Sequence, residues 1–238
     1  MNTGTLYLIP CTLGEEELPA LTIPAGVATV TDKLSVFIVE KERTARRFLK
    51  RLGYSHSLDA LQLLPLNKHT SPDSIQAYLQ PLQEGLDVGL LSEAGCPAVA
   101  DPGSQVVALA HRHNIRVVPL TGPSSILLAL MASGMNGQSF AFNGYLPREP
   151  HKRVERLRAL ERTAHKFGQT QIFIEAPYRN DALLADIIKA CKPNTRLCIA
   201  ADLTTNKEFV KTLPVTKWQE KPPGLHKRPV VFLLAGSS

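Results

Sequence analysis

Two loops of small residues hold most of what this chain says about chemistry. They are Ser92-Glu93-Ala94-Gly95-Cys96-Pro97-Ala98-Val99-Ala100-Asp101-Pro102-Gly103 and Thr121-Gly122-Pro123-Ser124-Ser125. Each follows a short aliphatic run and precedes a helix-like segment, so each leaves backbone exposed at the carboxyl end of a strand. Open α/β sheets bind ligands there. Neither loop pairs a nucleophile with a base, so the pattern is one for holding a ligand rather than attacking it. No G-x-G-x-x-G occurs, so a Rossmann nucleotide site is not indicated. Cys11, Cys96, Cys191 and Cys198 are spread without C-x-x-C spacing and the seven histidines are equally scattered. The expectation is therefore four reduced thiols and no metal site.

The elements that must position these loops alternate. Leu6–Ile9 and Ser35–Val39 read as strands, and Arg43–Leu52 as a helix stopped by Gly53. Ser71 and Pro72 are a helix N-cap and first position, with the helix running to about Gln83. Val88–Leu91 is a buried strand, Ser104–His113 a helix, Ile115–Val118 a strand and Pro123–Ser133 a helix. Such alternation predicts a parallel sheet covered by helices. Gly134, Gly137, Gly144, Pro147 and Pro150 then break the pattern around a strand at Ser139–Phe142. After them come a basic helix at His151–Lys166, a strand at Gln171–Ile174, a helix at Asp181–Ala190 and a strand at Arg196–Ala201. Glu208–Thr212 and Val230–Leu234 are shorter strands, and two consecutive strands without a helix between them predict a mixed sheet. The fold class is α/β, with two α/β domains at 1–120 and 121–238.

The chain has 238 residues, 44% of them hydrophobic and 20% charged, an ordinary globular composition. No run approaches the roughly 18 apolar residues that cross a membrane, and the first residues lack the pattern of a secretory signal. A cytoplasmic protein is expected. The net charge of +6 favours a polyanionic partner. Its cations crowd two segments: Lys41, Arg43, Arg46, Arg47, Lys50 and Arg51, then Arg148, Lys152, Arg153, Arg156, Arg158, Arg162 and Lys166. These read as phosphate contacts or as solvated helix faces in which Glu42, Glu155 and Glu161 form helical ion pairs.

Ala94-Gly95 with Pro97, Asp101-Pro102-Gly103, Pro119-Leu120 and Gly122-Pro123-Ser124, in that order, carry a family resemblance. So do Pro10, Gly14, Glu40, Gly144, Leu146-Pro147-Arg148, Glu175, Pro177, Arg179, Leu203-Thr204 and Glu208-Phe209. Over nearly its whole length the chain resembles the class III, tetrapyrrole-methylase-like S-adenosylmethionine methyltransferases. Within them it is most similar to the family that methylates a ribose 2′-hydroxyl of a cytidine in 16S ribosomal RNA. The resemblance implies S-adenosylmethionine as cofactor, in a cleft between the two domains. It would be lined by Pro10, Ala94, Gly95, Cys96, Pro97, Ser124, Ser125, Phe142, Ala176, Pro177, Ala201 and Thr204. The loops suit that ligand physically. Gly95 permits close backbone approach, Pro97 and Pro102 limit the entropy lost on binding, and Ser124 and Ser125 offer hydroxyls and unpaired N–H groups at a helix start.

Methyl transfer from a sulfonium needs chiefly alignment. A ribose hydroxyl acceptor adds the need for a base, for which Glu40 and His69 are the candidates by position. Glu40 also has Arg43 within reach as an ion-pair partner. Arg43, Arg46 and Arg148 are the expected anchors for RNA, since guanidinium forks suit its backbone. The resemblance further implies a homodimer acting on the small ribosomal subunit. Departures from the family fall on the substrate side. The first loop reads Pro10-Cys11-Thr12-Leu13-Gly14-Glu15 where the family has Pro-Thr-Pro-Ile-Gly-Asn, and Glu40-Lys41-Glu42-Arg43 stands for Glu-Asp-Thr-Arg. Leu66-Asn67-Lys68-His69-Thr70 replaces Tyr-His-Glu-His-Asn, and Glu93 and Cys96 replace an aspartate and a threonine. The donor is thus better defined than the acceptor. A tetrapyrrole acceptor and a non-catalytic RNA-binding relative stand as the alternatives.

Overall fold

The computed structural model describes residues 3–14, 17–67 and 69–237, so Glu15 and Lys68 of the departing segments lie outside the described residues. The chain forms two compact units, 1–124 and 125–238. In the first, β1 (Thr5–Ile9) leads through α1 (Pro19–Thr22) and α2 (Ala25–Thr31) to β2 (Val36–Val39). From there α3 (Glu42–Leu52) leads to β3 (Gln62–Pro65), α4 (Pro72–Ala77) and α5 (Gln80–Gln83) to β4 (Val88–Leu91), and α6 (Gly103–Arg112) to β5 (Arg116–Pro119). The strands form one parallel sheet in the order β3-β2-β4-β1-β5.

β2 and β4 are buried along their whole length, as strands covered on both faces must be. Alternate residues of β2 feed separate cores. Val36 and Ile38 join Leu6, Leu90, Leu79, Leu82 and Val106, whereas Phe37 and Val39 join Ile9, Val27, Phe48 and Leu49. Helix α3 contributes Ala45, Phe48 and Leu49, one stripe at helical spacing, and ends as expected at Gly53, whose φ of 92° is the left-handed conformation of a helix stop.

Three differences from the sequence expectation have local causes. The single helix expected from Ser71 to Gln83 is two, because Pro81 has no N–H to continue the ladder and opens α5 instead. Ser71 caps α4 as expected, its hydroxyl accepting from the Ser74 N–H at 3.2 Å. β3, an edge strand with only half-buried central residues, and the short proline-led α1 and α2 fall in segments without clear periodicity.

In the second unit α7 (Ser125–Ser133) precedes β6 (Phe140–Tyr145), α8 (Pro150–Phe167), β7 (Thr170–Ile174), α9 (Asn180–Ala190) and β8 (Arg196–Ala201). β9 (Phe209–Pro214), α10 (Val215–Glu220) and β10 (Val230–Ala235) complete it. The sheet order is β6-β7-β10-β8-β9, with β6 and β7 parallel and the other pairs antiparallel. It is the mixed sheet that the consecutive strands β8 and β9 predict. Its core includes Leu157, Phe173, Leu183, Ile199, Phe232 and Leu234, with Phe173 and Phe232 stacked at 5.9 Å between centroids. Helix α10, unexpected from sequence, inserts Val215 and Trp218 into this core, and the indole N–H donates to the Leu197 carbonyl at 3.0 Å.

The second basic segment is not simply a cationic face. Arg153 of α8 is buried and pairs with Asp186 at 2.5 Å while donating to the Arg148 carbonyl at 3.0 Å. Arg156 donates to the Asn143 side-chain oxygen at 2.9 Å. Buried Glu161 accepts from the Thr195 hydroxyl and the Lys192 N–H, rather than pairing along its own helix. No described helix is long and apolar enough to cross a membrane.

Candidate functional site

In the first unit the loops after β1, β2, β4 and β5 all leave the same end of the sheet, because the strands are parallel. Three of them are knitted together. The Cys11 N–H donates to the Gly95 carbonyl at 2.9 Å and the Gly95 N–H to the Cys11 carbonyl at 3.1 Å. A Cβ on Gly122 would lie 2.3 Å from both Cβ and Cγ of Pro10, so only glycine lets the first and last loops close on each other. The Cys96 thiol donates to the Pro123 carbonyl at 3.4 Å, and the Cys11 thiol to the Ser92 carbonyl at 3.1 Å. Pro10, Ala94–Pro97 and Ser124, which sequence alone singles out, are thereby brought to one place.

The loop after β4 is strained and braced. Gly95 has φ 71°, but Ala98 (66°) and Ala100 (61°) also hold the left-handed conformation, at about 1–2 kcal/mol each. Asp101 braces them, its carboxylate accepting from the Ala98 N–H at 2.9 Å and the Gly103 N–H at 2.7 Å. Backbone strain of this kind collects at ligand-binding segments.

Beside that loop lies an acidic group at the ends of β2 and β4. Glu40 Oε1 accepts from the Glu93 N–H at 3.2 Å. The Glu93 carboxylate accepts from the Lys41 ammonium at 2.7 Å and the Thr44 hydroxyl at 2.9 Å. Burial raises the Glu40 carboxyl above its ordinary range, and the charges of Asp101 and Glu93 push the same way. Burial raises Asp101 too, against the pull of its two backbone N–H donors. Cys11, fully enclosed, is held well above the normal thiol range by burial and then by Glu93, Glu40 and Asp101. Glu40 thus keeps company with Glu93 rather than Arg43, which is exposed and pairs with no described residue. Glu93, Asp101 and Thr44 belong to this site although sequence gives them no role. Lys41 and Glu93, two departures from the family, are partners in the structure, a pairing that their separation in the chain conceals.

The remaining candidates of this unit stand apart from that group. His69 is exposed on the turn after β3, its N–H donating to Asn67 Oδ1 at 2.9 Å. Arg46 is committed to the Leu58 carbonyl and to Glu42, the latter pair 3.7 Å apart at helical spacing.

In the second unit, Ala176 and Pro177 follow β7, and the Ala176 N–H donates to Glu175 Oε1 at 2.7 Å. Phe142 is half-buried in β6, and Ala201 is buried at the end of β8. Thr204 has φ 69° and donates its N–H to Glu208 at 2.8 Å. Ser125 opens α7, half-buried, and Arg148 is exposed before α8. Among the described residues no group of three or more His, Cys, Asp or Glu is placed to hold a metal, and all four cysteines are free thiols.

This arrangement can cradle a ligand with a positive centre against carboxylates, one of them, Glu40, with its proton affinity raised by burial. Comparison with known proteins gives the chain its relatives. The ribosomal RNA small subunit methyltransferase I of Pseudomonas aeruginosa is 29% identical over 99% of this chain and 80% of its own length. The protein of that name from Halalkalibacterium halodurans is 32% identical over 88% of this chain and 68% of its own. Among solved structures, the methyltransferase CobJ matches 99% of this chain and 95% of its own at a TM-score of 0.65 and 17% identity. Uroporphyrin-III C-methyltransferase from Thermus thermophilus, complexed with S-adenosyl homocysteine, matches 98% and 97% at 0.58. The solved structures share the α/β fold of this chain. The Tetrapyrrole (Corrin/Porphyrin) Methylases as a family match residues 29–218, and the chain belongs to that family.

Proposed function

We propose that the chain is an S-adenosylmethionine-dependent methyltransferase of small-subunit ribosomal RNA, acting on the ribose 2′-hydroxyl of a cytidine in 16S RNA. The observation that carries this reading is the likeness, over nearly the whole chain, to relatives named ribosomal RNA small subunit methyltransferase I. The solved tetrapyrrole methyltransferases, at 16–18% identity, speak for the fold and not for the acceptor.

The residues at the strand ends fit the cofactor. It is a zwitterion with a sulfonium, and Glu40, Glu93 and Asp101 supply the negative field that suits a cation. Gly122 against Pro10 and left-handed Gly95 bring backbone closer than any side chain would allow. The hydroxyl of half-buried Ser124 has no side-chain partner among the described residues and can donate to a ligand carboxylate or hydroxyl. When bound, S-adenosylmethionine supplies an activated methyl on a good leaving group. The chain's own share is alignment and proton management. Glu40, with Oε1 held by the Glu93 N–H, keeps Oε2 for the acceptor's proton, and its raised proton affinity moves it toward what a base for a hydroxyl needs. Arg43 and Arg148, exposed cations, serve RNA phosphates.

The enzyme acts as a homodimer in this reading. Leu127 and Met131 on α7 are 50% and 78% exposed, an apolar stripe that a second copy would cover. Sedimentation should give twice 26.0 kDa. The activity test is transfer of labelled methyl from S-adenosylmethionine to small ribosomal subunits from cells lacking this gene. Label on one 16S cytidine ribose supports the proposal; label on a tetrapyrrole precursor instead, or none on RNA, refutes it.

A further inference from the structure

At the carboxyl ends of β6 and β7 the second unit displays two tyrosines to solvent, Tyr145 at 59% and Tyr178 at 63% exposure. Exposed aromatic rings lose apolar contact, so their placement needs a reason, and the backbone supplies one. β6 pairs regularly with β7 up to Phe142 opposite Ile172, then slips, so that Tyr145 lies opposite Ile174. The extra residue is accommodated by Gly144 at φ 62°. Such a bulge re-aims the next side chain. It is pinned by Asn143, whose amide donates to the Ala141 carbonyl at 3.1 Å and to Gln171 at 3.2 Å while its oxygen accepts from Arg156.

Tyr178 is held with equal care. It sits in the 3₁₀ turn Pro177–Arg179, and the Arg179 guanidinium lies over its ring at 5.3 Å. Arg179 is itself fixed by Glu175, fully buried, at 2.5 Å. That hydrogen bond raises the guanidinium's proton affinity first, and the Tyr178 and Tyr145 phenols act on it in the same direction, so all three groups share one neighbourhood. Exposed cations frame it. Arg148 follows Tyr145 by three residues, and Lys227 donates its N–H to the Pro177 carbonyl at 3.0 Å. A buried carboxylate holding an arginine that holds one face of an aromatic ring leaves the other face rigid and open. Rings of this kind inside a cationic frame stack unpaired bases.

We propose that Tyr145 and Tyr178, with Arg179 as positioning residue, form a stacking platform for an unstacked nucleobase of the RNA acceptor. The platform rests on the RNA reading above and adds to it the element that grips the nucleotide. Because Ala176 and Pro177 adjoin it, the ring also tests whether this turn serves RNA or cofactor.

The test uses the full chain, a single-stranded oligoribonucleotide carrying 2-aminopurine, and S-adenosyl homocysteine titrated separately. Wild type quenches the 2-aminopurine on binding. Tyr178→Ala, Tyr145→Ala and Tyr178→Leu weaken RNA binding by roughly 5- to 150-fold each and lose the quench. Tyr178→Phe retains both, and S-adenosyl homocysteine affinity and melting temperature stay at wild-type values in every variant. Unchanged RNA binding by the alanine variants overturns the platform and leaves the methyltransferase reading standing. Lost S-adenosyl homocysteine affinity with intact RNA binding also overturns it, assigning the ring to the cofactor. Absence of RNA binding by wild type removes the platform and the RNA reading together.

Discussion

Replacing Gly122 with alanine sets a methyl carbon 2.3 Å from two carbons of the Pro10 ring, where comfortable carbon contacts begin near 3.5 Å. More than about 1 Å of separation must therefore be found. Pro10 cannot supply it by changing rotamer, since its ring is fixed to the backbone. The adjustment has to open the loops after β1 and β5, and the paired hydrogen bonds between Cys11 and Gly95 lie in the path of that motion. Overpacking of a rigid site costs about 1–3 kcal/mol; with backbone as the obstacle the upper value applies. For a unit of this size that lowers the melting temperature by about 10 °C. Two controls bracket the result. Gly26→Ala, in helix α2 with nothing within 4 Å of the new carbon, should be neutral or stabilise by up to about 1 kcal/mol. Gly95→Ala meets the flexible tip of Leu13 at 3.2 Å and the Pro123 carbonyl at an ordinary 3.5 Å but keeps φ 71°, so about 1–2 kcal/mol is expected. Urea denaturation ranks the three, and calorimetry with S-adenosyl homocysteine should show Gly122→Ala weakened at least tenfold. A Gly122→Ala protein as stable as wild type, binding ligand equally well, would refute the claim that these loops close on one another.

Three further outcomes follow. Ellman's reagent should modify Cys96 first, since it is the one cysteine that is not buried, and saturating S-adenosyl homocysteine should slow it, whereas Cys11, Cys191 (raised to about 12) and Cys198 wait for unfolding. Arg153→Met leaves half-buried Asp186 without its partner and should cost about 1–3 kcal/mol by denaturation; a loss below 1 kcal/mol would mean the pair is dispensable. Because Glu40 has a folded-state pKa above its ordinary 4.5, its contribution to stability is complete below that value and is lost as pH rises through the raised folded value. Glu40→Gln should therefore gain stability relative to wild type as pH climbs from 4 to 7, while losing methyl transfer; a pH-independent difference contradicts the shift.

The strands and helices that place the two loops were legible because buried parallel strands are continuous aliphatic runs, as Val36–Val39 and Val88–Leu91 are. The helix from Glu42 showed in its Ala45, Phe48 and Leu49 stripe and its terminal Gly53. Legibility failed where burial is partial or the segment short. β3 is an edge strand and α10 only six residues anchored by Trp218, so neither has enough turns or alternations to set a period. In the site, the small-residue loops could be read, but their knitting could not. That Gly122 answers Pro10, and that Lys41 answers Glu93, are pairings across 112 and 52 residues that no local pattern encodes. Charge density misled for the same reason. Arg153 and Arg156 look like phosphate ligands in a list of cations, yet their partners Asp186 and Asn143 arrive from other elements.

The position of β10 bears on how the chain is made. Residues 230–235 form a central strand of the second sheet, between β7 and β8, and all six are buried. On the ribosome the first unit has every strand it needs once Pro119 has emerged, its central β4 having joined β1 to β2 before then, so it can form while the rest of the chain is still being made. The second unit has no such schedule. β6 and β7 on one side and β8 and β9 on the other remain two separate halves, each with an open edge, until translation has delivered Val230–Ala235 to join them. Truncation or ribosome stalling short of that strand should leave a finished first unit tethered to a second that is exposed to proteases and chaperones.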